Sequence, residues 1–123
     1  MGFIHTALDV TDVDETLDFY AELGLSKTGE FTLNGVRNVY VGDGDDAELQ
    51  LKHDPERDEP VEPAGIDHVA VEVDDADEAF ASLVAATDCP VVREPFDVDP
   101  VNAHVAFVEA PDGYVVELVE YLD

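Results

Sequence analysis

The sequence has few basic residues, a single cysteine and no long hydrophobic run. With one cysteine, Cys89, the chain cannot form an internal disulfide or a multi-cysteine zinc site, which fits a reducing compartment. No apolar segment approaches the roughly 20 residues of a membrane-spanning helix, and residues 1–10 lack the basic patch of a secretion signal. We therefore expect a cytoplasmic protein of one domain, since 123 residues suffice for one core.

Positive charge is scarce, because five Lys and Arg residues stand against 31 Asp and Glu residues and the formal net charge is −26. Such a balance is typical of disorder, but 46% of the residues are hydrophobic and they recur at regular periods, so we expect a folded chain. The charge repels nucleic acid and anionic lipid, which excludes both as partners. Acidic residues spread along the whole chain favour adaptation to the salt-rich cytoplasm of a halophile over an acidic patch for a basic partner.

The chain contains an internal repeat. Residues 2–17 align with residues 65–80 at an offset of 63. The matching pairs are Gly2 and Gly65, His5 and His68, Ala7 and Ala70, and Val10 and Val73.

Both copies predict the same order of elements. A strand-like run precedes a helix whose N-cap is Thr11 or Asp12 in the first copy and Asp74 or Asp75 in the second. Three strand-like runs separated by turn residues follow each helix, near 27–33, 36–42 and 47–53, and near 90–94, 102–109 and 114–121. The unit is βαβββ used twice, with modules 1–53 and 65–123 joined by a proline-rich linker at 54–64.

Four polar residues occupy equivalent positions in the two modules. A second offset, of 67, aligns the last hairpins and matches Gln50 with Glu117, as the first offset matches His5 with His68. If the first and last strands lie side by side, two imidazoles, an amide oxygen and a carboxylate form a site for a divalent ion such as Zn, Ni, Co, Fe or Mn. Each residue alone is more simply a structural or solvated side chain, but the symmetry of the four favours a metal site.

Most of the chain also resembles a known family. The segments IHTALDVTDVDETLDFYAELGL, AELQLKHD, GIDHVAVEVDDADEAFASL and AFVEAPDGYVVELVE resemble the vicinal oxygen chelate superfamily, also named glyoxalase/bleomycin resistance/dioxygenase, and within it glyoxalase I. The resemblance implies an α+β fold in which two βαβββ modules form a curled, cup-shaped, eight-stranded mixed sheet with the helices outside. It also implies a homodimer and the metal ligands His5, Gln50, His68 and Glu117.

The implied activity is that of a metal-dependent isomerase or lyase. Its substrate is the hemithioacetal of a small 2-oxoaldehyde such as methylglyoxal, and the metal stabilises an enediolate while Glu117 carries the proton. Two alternatives stay open. One is an iron-dependent ring-cleaving dioxygenase that uses His5, His68 and Glu117. The other is a non-catalytic protein that binds a small molecule, as bleomycin-resistance proteins do.

The sequence departs from the glyoxalase I pattern at several positions. Gln50 replaces the usual Glu, and Glu48 has the same strand parity and is a reserve ligand. Asp9 and Asp54 replace the residues that hold glutathione, so we do not expect glutathione itself to be the thiol. The candidate substrate-binding residues are Arg37, Arg93 and His104.

Overall fold

The fold is known from a computed structural model that describes all 123 residues. The chain forms two compact units, Met1–Glu62 and Pro63–Asp123, each with one α-helix and one four-stranded mixed sheet. The predicted α+β class and the two βαβββ modules are confirmed, with the eight strands hydrogen-bonded as two sheets of four. Neither α-helix is long and apolar enough to cross a lipid bilayer.

Unit 1 contains β1 (His5–Asp9), α1 (Val13–Ala21), β2 (Ser26–Leu33), β3 (Val36–Gly42) and β4 (Glu48–His53). The strand order is β1-β4-β3-β2, in which β1 is parallel to β4 and the other neighbours are antiparallel. The first and last strands of the module are therefore adjacent, as the predicted metal site requires.

Unit 2 contains β5 (Val69–Glu72), α2 (Ala76–Thr87), β6 (Val91–Val98), β7 (Ala103–Glu109) and β8 (Val115–Tyr121). Its strand order, β5-β8-β7-β6, reproduces that of unit 1, and β5 is parallel to β8. The repeat in the sequence is thus a repeat of topology.

The two helices begin at equivalent aspartates. The carboxylates of Asp12 and Asp75 accept hydrogen bonds from the backbone N–H groups of Glu15 and Glu78, at 2.9 and 3.0 Å. Each bond satisfies a donor that the first turn of a helix leaves unpaired. Of the two candidates predicted at each start, the second is the N-cap.

β6 is longer than the sequence predicts, because the strand continues through Pro95 to Val98. Proline cannot donate to a strand ladder and is confined to edges and bulges. β6 is an edge strand, and its register with β7 shifts between Arg93 and Phe96, so Pro95 is accommodated. The predicted end at residue 94 was wrong for this reason.

One face of each sheet forms the core with its helix. In unit 1, α1 packs against β2, β3 and β4, and the buried hydrophobic side chains of the strands have the parity opposite to that of Gln50. They are Leu8, Val39, Val41 and Leu51. In unit 2 the corresponding buried residues are Ala106, Val108, Val116 and Leu118. The candidate ligands therefore lie on the sheet face that the helix does not cover.

Part of the predicted linker packs against unit 1. Val61 is buried, and its backbone N–H donates to the Thr11 hydroxyl at 2.8 Å. Arg57 forms an ion pair with Asp9 at 3.6 Å. Residues 54–62 are accordingly grouped with unit 1.

Candidate metal site

The register of the parallel strand pairs places Gln50 and Glu117 at equivalent positions. Ala7 lies opposite Gln50 in unit 1, and Ala70 lies opposite Glu117 in unit 2. Side chains alternate between the two faces of a strand, so the histidine two residues before each alanine shares the face of the polar residue on the last strand. Each unit therefore presents one imidazole and one oxygen donor on the same face.

In unit 2 the two candidate donors approach each other. His68 Nε2 lies 3.2 Å from Glu117 Oε1, close to the roughly 3.4 Å that separates two ligands of one tetrahedral ion. The other ring nitrogen, Nδ1, lies 2.7 Å from Asp67 Oδ1. In the tautomer that carries its proton on Nδ1, that nitrogen donates to Asp67 and the Nε2 lone pair is available to a metal ion.

In unit 1 the oxygen donor belongs to a buried amide. Gln50 is 8% exposed, and its Nε2 donates to Asn38 Oδ1 at 2.9 Å. No hydrogen-bond donor of the chain reaches Gln50 Oε1, which leaves this oxygen for a ligand. His5 is the exposed first residue of β1.

Glu48 has a different environment from Gln50. It lies opposite His5, and its carboxylate accepts a hydrogen bond from the Thr28 hydroxyl. Its equivalent in unit 2 is Val115, which has no donor atom on its side chain. The symmetry of the two sheets therefore extends to Gln50 and not to Glu48, and we leave Glu48 outside the proposed ligands.

The donor chemistry fits a divalent transition metal. Imidazole nitrogen together with carboxylate or amide oxygen suits Zn, Ni, Co, Fe and Mn. The structure contains no group of three or more His, Cys, Asp or Glu side chains placed to hold a metal ion. It presents one candidate pair of donors in each unit, and one of these four donors is the amide oxygen of Gln50.

An aromatic ring supports each candidate histidine. The rings of His5 and Tyr40 meet edge-on with centroids 5.5 Å apart, and those of His68 and Phe107 do so at 5.8 Å. Tyr40 and Phe107 are matched by the offset of 67. Phe107 in turn stacks on Phe96 at 6.2 Å. The surface beside each histidine is therefore largely aromatic.

Beyond the rings the two modules differ. In unit 2 the neighbouring residues form a buried apolar cluster of Ala103, Val105 and Val119. The residues at the same positions in unit 1 are Val36, Asn38 and Lys52. Sequence reasoning missed Asn38 and Lys52, although a polar residue whose repeat partner is a buried valine is a usable signal.

Comparison with known proteins identifies the family of the chain. Residues 2–118 match the glyoxalase/bleomycin resistance protein/dioxygenase superfamily. The chain belongs to this superfamily. The predicted resemblance is thereby confirmed, while the source in a salt-rich cell stays a prediction.

Several relatives in the superfamily are lactoylglutathione lyases. One from Neisseria meningitidis serogroup A is 38% identical over 133 residues, covering 98% of this chain and 91% of that protein. Another, from Escherichia coli O157:H7, is 32% identical, covering 100% of this chain and 95% of that protein.

Solved glyoxalase I structures share the fold. Glyoxalase I from Leishmania major, described as trypanothione-dependent, has a TM-score of 0.81 and 25% identity over 98% of this chain and 86% of that one. Glyoxalase I from Zea mays has a TM-score of 0.84 and 23% identity over 98% of this chain. This chain spans only 45% of the maize chain.

Two basic residues of this superfamily member have no ion-pair partner. Lys27 and Arg37 pair with Glu30, and Arg57 pairs with Asp9. Lys52 and Arg93 pair with no carboxylate, in a chain that carries 31 of them. Strand parity places Lys52 on the face of Gln50, and the Arg93 guanidinium lies 3.4 Å from the centroid of the Phe96 ring. Both cations are therefore available to an anion near the candidate ligands.

Arg37 lies on the opposite face from Gln50, with Val39 and the core. Its Nε donates to Glu30 Oε2 at 2.7 Å, and the hydrogen bonds from Arg37 and Lys27 lower the pKa of Glu30 to about 2. The guanidinium is thus engaged away from the candidate ligands. This placement does not favour the predicted substrate contact.

His104 also lies on the helix-covered face of its sheet. Phe107 is opposite Glu117 in the register of β7 and β8, so His104, three residues away, points to the other side. Its Nε2 and Nδ1 lie 2.8 Å from Asp77 Oδ1 and 2.7 Å from Asp97 Oδ1. This placement does not favour the predicted contact of His104 with substrate.

The position of His104 between Asp77 and Asp97 predicts a pH-dependent contribution to the stability of the fold. Hydrogen bonds with Asp77 and then Asp97 raise the pKa of His104 above 6.5, so the stabilisation is fully present below 6.5 and disappears as pH rises through the raised value. We expect His104→Gln to lower the free energy of unfolding at acidic pH by up to about 1 kcal/mol, as for exposed ion pairs, and to change it little at alkaline pH.

Urea unfolding from about pH 5.5 to about pH 9, at constant ionic strength, measures the effect. His53→Gln is the matched control, because His53 Nδ1 lies 3.3 Å from the Val10 carbonyl and forms no ion pair. A loss that is the same at every pH contradicts the ionic account.

Proposed function

We propose that the chain is a metal-dependent glyoxalase-type isomerase or lyase that acts on the hemithioacetal of a small 2-oxoaldehyde such as methylglyoxal. The observation that carries the proposal is the equivalent register of Gln50 and Glu117, each with a histidine on the same face. Relatives named lactoylglutathione lyase, 38% and 32% identical, support the reaction class.

The proposed ligands of one divalent ion are His5, Gln50, His68 and Glu117. When bound, such an ion supplies Lewis-acid stabilisation of the negative charge that develops on two adjacent substrate oxygens. The amide of Gln50 does not titrate, so this ligand takes no part in proton transfer.

Glu117 is the proposed general base, since it is the only carboxylate of the four. In the isomerisation the C–H bond of the carbon that bears sulfur breaks, and its proton passes to the Glu117 carboxylate. Glu117 then returns the proton to the neighbouring carbon, which was the ketone carbon. The hydroxyl proton of the first carbon passes to the former ketone oxygen, so that the first carbon becomes the thioester carbonyl and the second an alcohol. No external oxidant or reductant is required, because one carbon is oxidised as the other is reduced.

Lys52 and Arg93 are the proposed binding residues for a carboxylate on the thiol part of the substrate. Neither is neutralised within the chain, and both share a sheet face with candidate ligands. The rings of Phe96 and Phe107 offer an apolar surface between Arg93 and His68. Asp9, at a position where the glyoxalase I pattern has a basic residue, offers no positive charge to a carboxylate and is itself paired with Arg57, so thiols other than glutathione belong in the assay.

The function is tested by mixing methylglyoxal with a panel of thiols and following thioester formation by protein loaded with Zn, Ni, Co, Mn or Fe. We expect turnover with at least one metal and one thiol. Absence of thioester in every combination contradicts the proposal, and oxygen consumption with a catechol in its place favours the dioxygenase alternative.

Removal of either unpaired cation is expected to raise KM for hemithioacetals whose thiol carries a carboxylate. Lys52→Gln or Arg93→Gln should raise KM by about tenfold or more, since a hydrogen bond to a charged group contributes about 1.5–3 kcal/mol. Hemithioacetals of uncharged thiols should keep their KM. Steady-state kinetics measures both, with Lys27→Gln as the control because Lys27 is already paired. An equal change for charged and uncharged substrates would rule out anion binding.

A further inference from the structure

Two buried amides form a short hydrogen-bonded chain beneath the oxygen donor of unit 1. Asn38 is 3% exposed and Gln50 8%. Asn38 Nδ2 donates to the Val36 carbonyl at 3.0 Å, and Gln50 Nε2 donates to Asn38 Oδ1 at 2.9 Å. In both hydrogen bonds an amide NH₂ group is the donor and an oxygen is the acceptor.

The direction is dictated at the backbone end. The Val36 carbonyl can only accept, so the group of Asn38 that faces it is the NH₂ group. Asn38 then turns its oxygen to Gln50, and an oxygen acceptor selects the NH₂ group of Gln50. Gln50 Oε1 is left at the far end, away from Asn38. Amide oxygen binds divalent ions, whereas an amide NH₂ group offers only hydrogen-bond donors.

We infer that Asn38 is a positioning residue that holds the Gln50 amide with its oxygen, not its nitrogen, turned to the metal ion. The inference rests on the proposed function, because it assigns Gln50 a metal to bind. Partners of this kind orient metal ligands in proteins and typically change metal affinity by about 10–100-fold.

The other module explains why only unit 1 needs such a residue. The position of Asn38 is occupied by Val105 in unit 2, and that of Gln50 by Glu117. A carboxylate presents an oxygen whichever way it rotates, so Glu117 requires no orienting partner. The two modules therefore differ at both positions. Unit 1 has the amides of Asn38 and Gln50, whereas unit 2 has Val105 and the carboxylate of Glu117.

A simpler role for Asn38 is structural, as a buried polar residue that satisfies the Val36 carbonyl. The two roles differ in their dependence on residue 50. Orientation matters for an amide, which has one oxygen, and not for a carboxylate, which has two. A structural role affects the protein equally with either residue.

The test is a double-mutant cycle on metal affinity, measured by competition with a chelating dye. With Gln50 present, Asn38→Val is expected to weaken Zn or Co binding by about 10–100-fold. In the Gln50→Glu background the same substitution should change affinity less than about threefold. Equal losses in the two backgrounds, or no loss in either, overturn the inference.

The orientation of Gln50 can also be tested in the metal-free wild type, by measuring exchange of its side-chain NH₂ protons with water. This experiment does not depend on the folding of any variant. Gln50 is the only glutamine of the chain, so its side-chain NH₂ signals can be assigned by NMR. We expect its protons to exchange with water more slowly than those of Asn34, an exposed turn residue. Equally fast exchange overturns the inference even if metal binds. Failure of the wild type to bind any ion overturns the proposed function, and this inference with it.

Discussion

Replacing Glu117 by Gln is expected to lower kcat for hemithioacetal isomerisation by about a hundredfold or more while much of the metal affinity remains. The amide oxygen can still bind the ion, but it cannot accept a proton. Gln50 is neutral and the imidazoles are ligands, so no other proposed ligand replaces the lost base. Loss of turnover with retained metal separates proton transfer from metal binding.

Matched variants of the same chain control this experiment. Glu120→Gln removes a carboxylate of β8 that faces α2, where Glu120 accepts a hydrogen bond from the Ala76 N–H at 2.9 Å. Its turnover should equal that of the wild type. If Glu117→Gln keeps wild-type turnover and Glu48→Gln loses it, the base has been assigned to the wrong residue.

Thermal stability is expected to rise steeply with salt. The formal charge of −26 is distributed over a chain in which only three Lys and Arg side chains form ion pairs with carboxylates, so repulsion between acidic groups opposes folding. The Debye length falls from about 10 Å at 0.1 M salt to about 3 Å at 1 M, which screens that repulsion. We expect the unfolding midpoint to increase by roughly 10 °C or more between 0.1 M and 2 M KCl, since each kcal/mol shifts it by about 4 °C in a chain of this size.

Differential scanning calorimetry in NaCl and KCl measures the shift. The two salts should act alike because screening depends on ionic strength. A midpoint that does not move with salt would contradict adaptation to a salt-rich cell and would favour a basic partner for the acidic surface.

Much of the fold could be predicted because the same βαβββ order of elements occurs twice in the sequence. The aspartates that start the helices, Asp12 and Asp75, recur at the offset of the repeat, and both modules have the same strand order. The continuation of β6 through Pro95 could not be predicted, because it depends on β6 being an edge strand with a shifted register. Edge position is a property of the assembled sheet.

The candidate site was predictable in part for the same reason. His5 and Gln50 stand out because their repeat partners are also metal-binding residue types. The role proposed for Asn38 depends on contacts across β3 and β4, which a single strand does not reveal. The placement of His104 likewise depends on which residue of β7 lies opposite Glu117, and that follows only from the register of the hairpin.

The central claim, that His5 and His68 bind one divalent ion together with Gln50 and Glu117, is tested most directly by measuring bound metal. Chelator-free protein reconstituted with Zn, Ni, Co or Mn is analysed by elemental mass spectrometry as wild type, His5→Ala and His68→Ala, with His53→Ala as control. We predict about one ion per chain in the wild type and the control, and almost none in the other two. No bound metal in the wild type, or the same content in all four proteins, would contradict the account.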